Sequence, residues 1–221
     1  GDYRETKQGS SLEIAAPMEP GACEVRYITG RSHTILARAS IEVMPVGATL
    51  DAAAEVTLGA SFSVAWTGPN NTGDYVTIVA KGAPDEKYGS YVNTDQGSPV
   101  KLTAPPEAGD GELRYVSGEC RKVLARRPIK IAAAKVTLSA PAEAAAGGAV
   151  SITWTGPNNP GDYITVVAKS TPDGQYGAYT ATSSGSPLTV TAPKEAGDGE
   201  IRYMTGQGGK VLARIGIKIV P

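Results

Sequence analysis

The chain has 221 residues, 41% of them hydrophobic, and its 21 Lys and Arg nearly balance its 22 Asp and Glu. A formal net charge of −1 provides no polybasic surface for nucleic acid or anionic lipid, so we expect neither partner. No apolar run approaches the roughly 18 residues of a membrane-spanning helix, so membrane insertion is not expected. The abundance of Val, Ile, Thr, Gly and Pro favours short strands and turns.

A repeat of 88 residues dominates the sequence. The segment AWTGPNNTGDYVTIVAK around Trp66 returns as TWTGPNNPGDYITVVAK around Trp154, and 154 − 66 = 88. EVRYITG, ELRYVSG and EIRYMTG keep the same step without insertion or deletion. This period predicts a tandem array. It consists of an N-terminal segment at 1–45, matching the C-terminal half of a module, a first module at 46–133 and a second module at 134–221.

Apolar residues alternate with period two, as in strands that bury one face. Val150, Ile152 and Trp154 share one such face. Seven strands are expected per module; in the second module their segments are VTLSAP, AVSITWT, DYITVVAK, YGAYTAT, LTVTAP, EIRYMTG and KVLARIGIKIV. Their counterparts in the N-terminal segment are expected at 12–17, 23–30 and 33–43. This pattern predicts an all-β fold of tandem immunoglobulin-like β-sandwiches.

The motifs WTGPNNPGDYITVV, GEIRYMTG and KVLARIGIKI resemble repeat modules that follow the von Willebrand factor A domain in some bacterial proteins of unknown function. The layout is also similar to immunoglobulin-like SKICH domains. The resemblance covers nearly the whole chain. It implies an extracytoplasmic array, periplasmic or at the cell surface, that acts as a spacer, scaffold or binding platform. The chain contains no von Willebrand A domain and no DxSxS metal motif, so that domain's metal-dependent adhesion is not implied.

Two groups of residues have side chains of the types that hydrolytic enzymes use. The one histidine, His33, is expected in a solvated turn, and its repeat equivalents are Arg121 and Gly209, so a catalytic triad is not expected. The acidic pairs of the GDGE motif have the residue types that glycosidases use. We interpret them instead as solubilising turn residues; they are Asp110 with Glu112, and Asp198 with Glu200. No enzymatic activity and no cofactor are predicted.

Oxygen donors in the TGPNN turn raise the alternative of a calcium site in each module. The donors are Asn70, Asn71 and Asp74 in the first module and Asn158, Asn159 and Asp162 in the second. Their spacing fits no EF-hand, and turn chemistry selects the same residue types, so no metal site is predicted.

The two cysteines, Cys23 and Cys120, occupy different places in the repeat, because their equivalents are Gly111 and Ser32. They are therefore not expected to form the intramodule disulfide of antibody domains. Two free thiols are the expectation, and a disulfide across a module junction is the alternative.

Arg and Tyr are adjacent in the late strand of each module, so their side chains point to opposite faces. We expect Tyr115 and Tyr203 inward, like the tyrosine corner of immunoglobulin folds, with the arginines outward. A possible interaction face then comprises Arg114, Arg202, Tyr75 and Tyr163.

Three functions remain open at the level of sequence. The first is a non-enzymatic structural or protein-interaction array from a larger bacterial protein. The second is a set of glycan- or small-ligand-binding modules that use Tyr75, Tyr163 or Tyr91 as a platform. The third is an accessory region of an upstream enzyme. We also expect residues 1–45 to be completed by a protein partner, most simply through a homodimer, because their apolar face lacks an opposing sheet.

Overall fold

Each repeat folds into two β-sheets that enclose one apolar core, as the computed structural model shows for residues 2–221. The first module contains β3 (Thr49–Asp51), β4 (Glu55–Thr57), β5 (Ser61–Thr67), β6 (Tyr75–Ala80), β7 (Tyr91–Asn93), β8 (Val100–Thr103), β9 (Gly109–Val116) and β10 (Val123–Ala132). The second module contains β11 (Thr137–Ser139), β12 (Glu143–Ala145), β13 (Ala149–Thr155), β14 (Tyr163–Ala168), β15 (Tyr179–Ala181), β16 (Leu188–Thr191), β17 (Gly197–Met204) and β18 (Val211–Val220). The N-terminal segment contains β1 (Gly21–Ile28) and β2 (Ile35–Val43). Short 3-10 helices cover Thr6–Gln8, Thr94–Gln96 and Thr182–Ser184.

The sheet order is the same in both modules. The first module pairs β3-β5-β8 in one sheet and β4-β10-β9-β6-β7 in the other. The second module pairs β11-β13-β16 and β12-β18-β17-β14-β15. Two antiparallel-rich sheets in this order form an immunoglobulin-like or fibronectin-III-like sandwich, which confirms the predicted fold class.

Each module has eight strands rather than the predicted seven, because the prediction missed a short strand after the first one: β11 lies within the expected VTLSAP segment, and β12 follows it. In the second module β11 pairs antiparallel with β13. The chain then crosses to the other sheet, where β12 pairs parallel with β18. The three residues of β12, Glu-Ala-Ala, show no alternation of large apolar and polar side chains, so the sequence pattern did not indicate this strand.

The core of the second module follows the predicted alternation. Val150 and Ile152 are buried, while Ser151 between them is exposed. The Trp154 ring packs at 5.6 Å between centroids against the ring of Tyr203, which is fully buried. Burial of an aliphatic side chain such as Val150 or Ile152 stabilises the folded state by about 1.5–3 kcal/mol. This core therefore fixes which strand faces point outward and can form a site.

The N-terminal segment keeps the β1–β2 hairpin of the repeat without the rest of the sandwich. Residues 12–17 form no strand, which corrects the prediction. The equivalent β8 and β16 pair with β5 and β13, and residues 2–45 hold no counterpart of those partners. Val25 and Tyr27 are 41% and 49% exposed, whereas Leu113 and Tyr115 at the same repeat positions are fully buried.

The two modules touch at a junction made by turns. The side-chain nitrogen Nδ2 of Asn159 donates a 3.0 Å hydrogen bond to the carbonyl oxygen of Leu58 in the preceding module. Gly59 has φ +69°, and a Cβ added there would lie 2.8 Å from the same nitrogen. A residue without a side chain is therefore needed at this close approach. Among residues 2–221, no helix has the length and apolar character required to cross a membrane.

Candidate functional site: a buried arginine and an exposed tyrosine cluster in each module

The arginine of the late strand is buried in both modules, which corrects the prediction that it faces solvent. Arg114 is 0% exposed. Its side chain projects from the outer face of β9, as predicted, but the loop at 81–90 between β6 and β7 covers that side chain. Nη1 donates to the carbonyl oxygen of Pro84 at 2.7 Å, and Nη2 donates to that of Ala83. The guanidinium therefore fastens this loop to the sheet.

The second module repeats this arrangement residue for residue. Arg202 is 1% exposed, and its guanidinium donates to the carbonyl oxygens of Thr171 at 2.6 Å and Pro172 at 3.0 Å. The alternation of residues along the strand correctly predicted that the arginine projects from the face opposite the core. It did not reveal the loop, since a covering loop leaves no periodic signal.

A glutamate two residues earlier on the strand compensates the buried charge. Glu112 accepts 2.7 Å hydrogen bonds from Nε of Arg114 and from Nη1 of Arg126. Burial raises the pKa of the Glu112 carboxyl, but the hydrogen bonds from the two arginines lower it by more, so the net shift is downward. The N-terminal segment has the same pairing around Glu24, yet the side chain of Arg26 is 49% exposed because residues 2–45 hold no covering loop.

The GDGE pairs lie within β9 and β17, not in a turn, which corrects the sequence interpretation. Asp198 forms a 3.0 Å salt bridge with Lys218 of the neighbouring strand. Glu200 accepts from Arg202 at 3.0 Å. Asp110 lies 3.6 Å from Lys81. These carboxylates are paired with cations of their own module.

The residues considered as calcium ligands form a hydrogen-bonded hub. Oδ2 of the buried Asp162 accepts from the backbone nitrogen of Asn159 at 3.0 Å and from the hydroxyl of Tyr203 at 2.9 Å. Oδ1 accepts from the backbone nitrogen of Gly206 at 3.0 Å. Asp74 makes the equivalent three bonds in the first module. Within residues 2–221, no group of three His, Cys, Asp or Glu residues has a metal-binding arrangement.

The buried tyrosine confirms the tyrosine-corner prediction. Tyr115 is fully buried, and its hydroxyl accepts from the backbone nitrogen of Asn70 while it donates to Asp74. A Cβ on Gly68 would lie 2.7 Å from the Tyr115 ring, so this turn requires glycine. Burial raises the pKa of Tyr115, and the hydrogen bond to Asp74 acts in the same direction.

His33 and the cysteines lie outside this site. His33 is exposed in the β1–β2 turn with φ 52°. Cys23 and Cys120 are free. Cys23 lies inside β1, and Cys120 lies in the β9–β10 turn with its sulfur 3.1 Å from the Ser117 hydroxyl.

Three tyrosines cluster on the outer surface of each module. In the first module the half-buried Tyr75 contacts Tyr88 and Tyr91, with ring centroids 6.5 and 5.7 Å away. Burial raises the pKa of Tyr75, and the nearby charge of Arg121 opposes that shift. The second module has the same cluster, formed by Tyr163, Tyr176 and Tyr179. Sequence analysis selected Tyr75, Tyr163 and Tyr91 but missed the others, although YGSY and YGAY recur at the 88-residue step.

No protein-family model and no curated protein matches the chain. Among solved structures, the Yersinia pseudotuberculosis adhesin InvE is similar at 18% identity, covering 79% of this chain and 59% of that chain, with a TM-score of 0.30. The chain thus spans 59% of the length of that adhesin structure. A segment of two fibronectin type III domains from chicken tenascin is 14% identical over 77% of this chain and 96% of that chain, with a TM-score of 0.29. The FN1–FN3 domains of chicken CNTN1 are 10% identical over 90% and 78% of the two chains, with a TM-score of 0.30.

Proposed function

We propose that this chain is a non-enzymatic structural and protein-interaction array. The observation that carries the proposal is that the buried polar side chains of each module bind one another and the backbone of the same module. The buried arginine, its glutamate and the turn aspartate are satisfied by hydrogen bonds within their own module, and both modules repeat the pattern. Side chains committed in this way stabilise a scaffold and are not poised to exchange protons with a substrate.

The module junction supports the same function. The bond between Asn159 and Leu58 joins a side chain to a backbone carbonyl, so it depends on the relative orientation of the two modules. Gly208 of the second module also lies close to Pro106 of the first. A Cβ added to the glycine would lie 3.7 Å from Cγ of the proline. These contacts on two turns favour one relative orientation of the neighbouring modules, which is the property that a spacer or scaffold requires.

Small-angle X-ray scattering of the 221-residue chain tests this proposal. An extended particle is expected, whose scattering fits a single arrangement of the two modules. Scattering that requires a broad ensemble of module orientations would contradict a structural array.

Cellular context is a further part of the proposal. An extracytoplasmic location, periplasmic or at the cell surface, follows from the resemblance to modules that accompany von Willebrand A domains in bacterial proteins. Fractionation of cells that produce the full-length protein tests the location. The open reading frame tests the association, because a von Willebrand A domain is expected upstream of residue 1. Recovery of the full-length protein in the cytoplasm would contradict the proposed location.

A further inference from the structure

The tyrosine cluster of the first module borders a concavity of about 250 Å³. Tyr88 and Tyr91 remain 58% and 53% exposed although they contact each other, with ring centroids 5.6 Å apart and planes at 87°. In this edge-to-face contact the edge of one ring meets the face of the other, and both rings keep surface exposed to solvent. Tyrosine provides contact area at a low cost in conformational entropy and carries a hydroxyl for hydrogen bonding.

The loop that carries Tyr88 is fixed in place before any ligand binds. Buried Arg114 holds the carbonyl oxygens of Pro84 and Ala83. Thr77 holds the end of the loop, because its hydroxyl donates to the Ser90 carbonyl oxygen at 2.9 Å and accepts from the Gly89 nitrogen at 3.1 Å. A surface held from below in this way loses little freedom on binding, which favours affinity.

Two polar side chains complete the concavity. Asn93 at the end of β7 and Arg121 in the β9–β10 turn line it beside the three rings. Arg121 is exposed and is the one charged side chain among the described residues that line the concavity. The site therefore combines aromatic faces, an amide that donates and accepts, and a guanidinium fork that matches a carboxylate.

The size and charge of the concavity select the ligand. Its volume lies below the roughly 300–1,000 Å³ of pockets for drug-sized ligands, which matches a single ring-sized unit. A sugar ring presents C–H groups to an aromatic face and hydroxyls to amide and phenol groups, and a uronic acid adds a carboxylate for the guanidinium. We propose that the concavity of Tyr75, Tyr88, Tyr91, Asn93 and Arg121 binds one hexuronate unit of an acidic polysaccharide.

The second module provides a natural comparison. It keeps the three tyrosines but has Ala181 in place of Asn93 and Gly209 in place of Arg121. Gly209 and Arg121 share the same left-handed backbone, with φ 58° and 53°. Exchange of the two residue types at this position therefore alters the charge while preserving the turn. We expect the second module to lack the acidic-sugar site.

Isothermal titration calorimetry of the 221-residue chain with trigalacturonate tests the proposal. One trigalacturonate is expected per chain, and neutral maltotriose should bind about tenfold or more weakly, because charge-assisted hydrogen bonds are the stronger ones. Arg121→Gly and Tyr88→Ala should each weaken binding about tenfold or more. Tyr176→Ala in the second module is the matched control and should leave binding unchanged.

A gain-of-site variant provides an independent arm. Gly209→Arg combined with Ala181→Asn should raise the stoichiometry from one trigalacturonate to two. The proposal is overturned by absence of trigalacturonate binding, by equal affinity for maltotriose, by preferential binding of uridine monophosphate or a proline-rich peptide, or by unchanged affinity in Arg121→Gly. Thermal melting shows whether each variant is folded; if Tyr88→Ala is not, the turn variant Arg121→Gly decides the outcome.

Discussion

Nη1 of Arg114 donates a 2.7 Å hydrogen bond to the carbonyl oxygen of Pro84, thirty residues earlier in the chain. This bond joins the outer face of the β9 strand to the loop that bears Tyr88. Arg114→Met should destabilise the first module by about 2–4 kcal/mol, since it leaves the carbonyl groups of Ala83 and Pro84 without this donor and the partly buried Glu112 with one partner fewer. The free energy of unfolding from guanidinium titration measures this loss.

Arg26→Met provides the control for that variant. Arg26 has the same repeat position and pairs with Glu24, but its side chain is half exposed. Exposed pairs contribute about 0–1 kcal/mol, so the control should change stability by no more than that. A loss in Arg114→Met as small as in Arg26→Met would contradict the structural role of the buried arginine.

The hydroxyl of Tyr203 should make stability sensitive to alkali. Burial raises the pKa of Tyr203 above the ordinary value of about 10, and its hydrogen bond to Asp162 acts in the same direction. The stabilising contribution is therefore complete below the unfolded pKa and is lost as the pH rises above it. Tyr203→Phe should cost about 1–3 kcal/mol at pH 7, because buried Asp162 loses a donor.

Above pH 10 the difference between wild type and Tyr203→Phe should shrink, since only the wild type retains this phenol to ionise. Urea titrations at pH 7, 10 and 11.5 measure the trend. Tyr27→Phe is the control, because Tyr27 is exposed at the same repeat position. A wild-type advantage that grows with pH would have the wrong sign for this account.

Residues 1–45 are expected to mediate self-association of the 221-residue chain. In the complete modules the strand equivalent to β1 also pairs with β6 or β14, whereas in residues 2–221 the outer edge of β1 is unpaired. An unpaired edge beside exposed Val25 and Tyr27 promotes pairing between chains. Sedimentation equilibrium should show a dimer, and a chain of residues 46–221 should be monomeric. A monomeric 221-residue chain at high concentration would rule this out.

The sequence was informative where a residue repeats a local pattern and less so where distant segments meet. Alternation placed Val150 and Ile152 in the core and predicted the inward direction of Tyr115, because one strand is enough to define those faces. Burial of Arg114 depends on a loop thirty residues away, and the loss of a strand at 12–17 depends on a missing partner strand. Neither leaves a periodic trace. Tyr88 lacked a strand pattern, although its recurrence in the repeat was a usable signal.

A distance measurement between the modules tests the central claim, that the chain is a structural array with a fixed junction. Exposed Ser63 and Ser151 occupy the same position in the two modules, and spin labels at Ser63→Cys and Ser151→Cys report their separation once Cys23→Ser and Cys120→Ser remove the native thiols. Double electron–electron resonance should give one narrow distance distribution.

The variant Asn159→Ala should broaden that distribution, because the hydrogen bond to Leu58 across the junction is lost. Asn71→Ala, at the equivalent position of the first module, is the matched control and should leave it narrow. A single narrow distance that broadens only in Asn159→Ala is the result that the account predicts. A broad distribution of the label-to-label distance in the labelled chain that keeps Asn159 would contradict it.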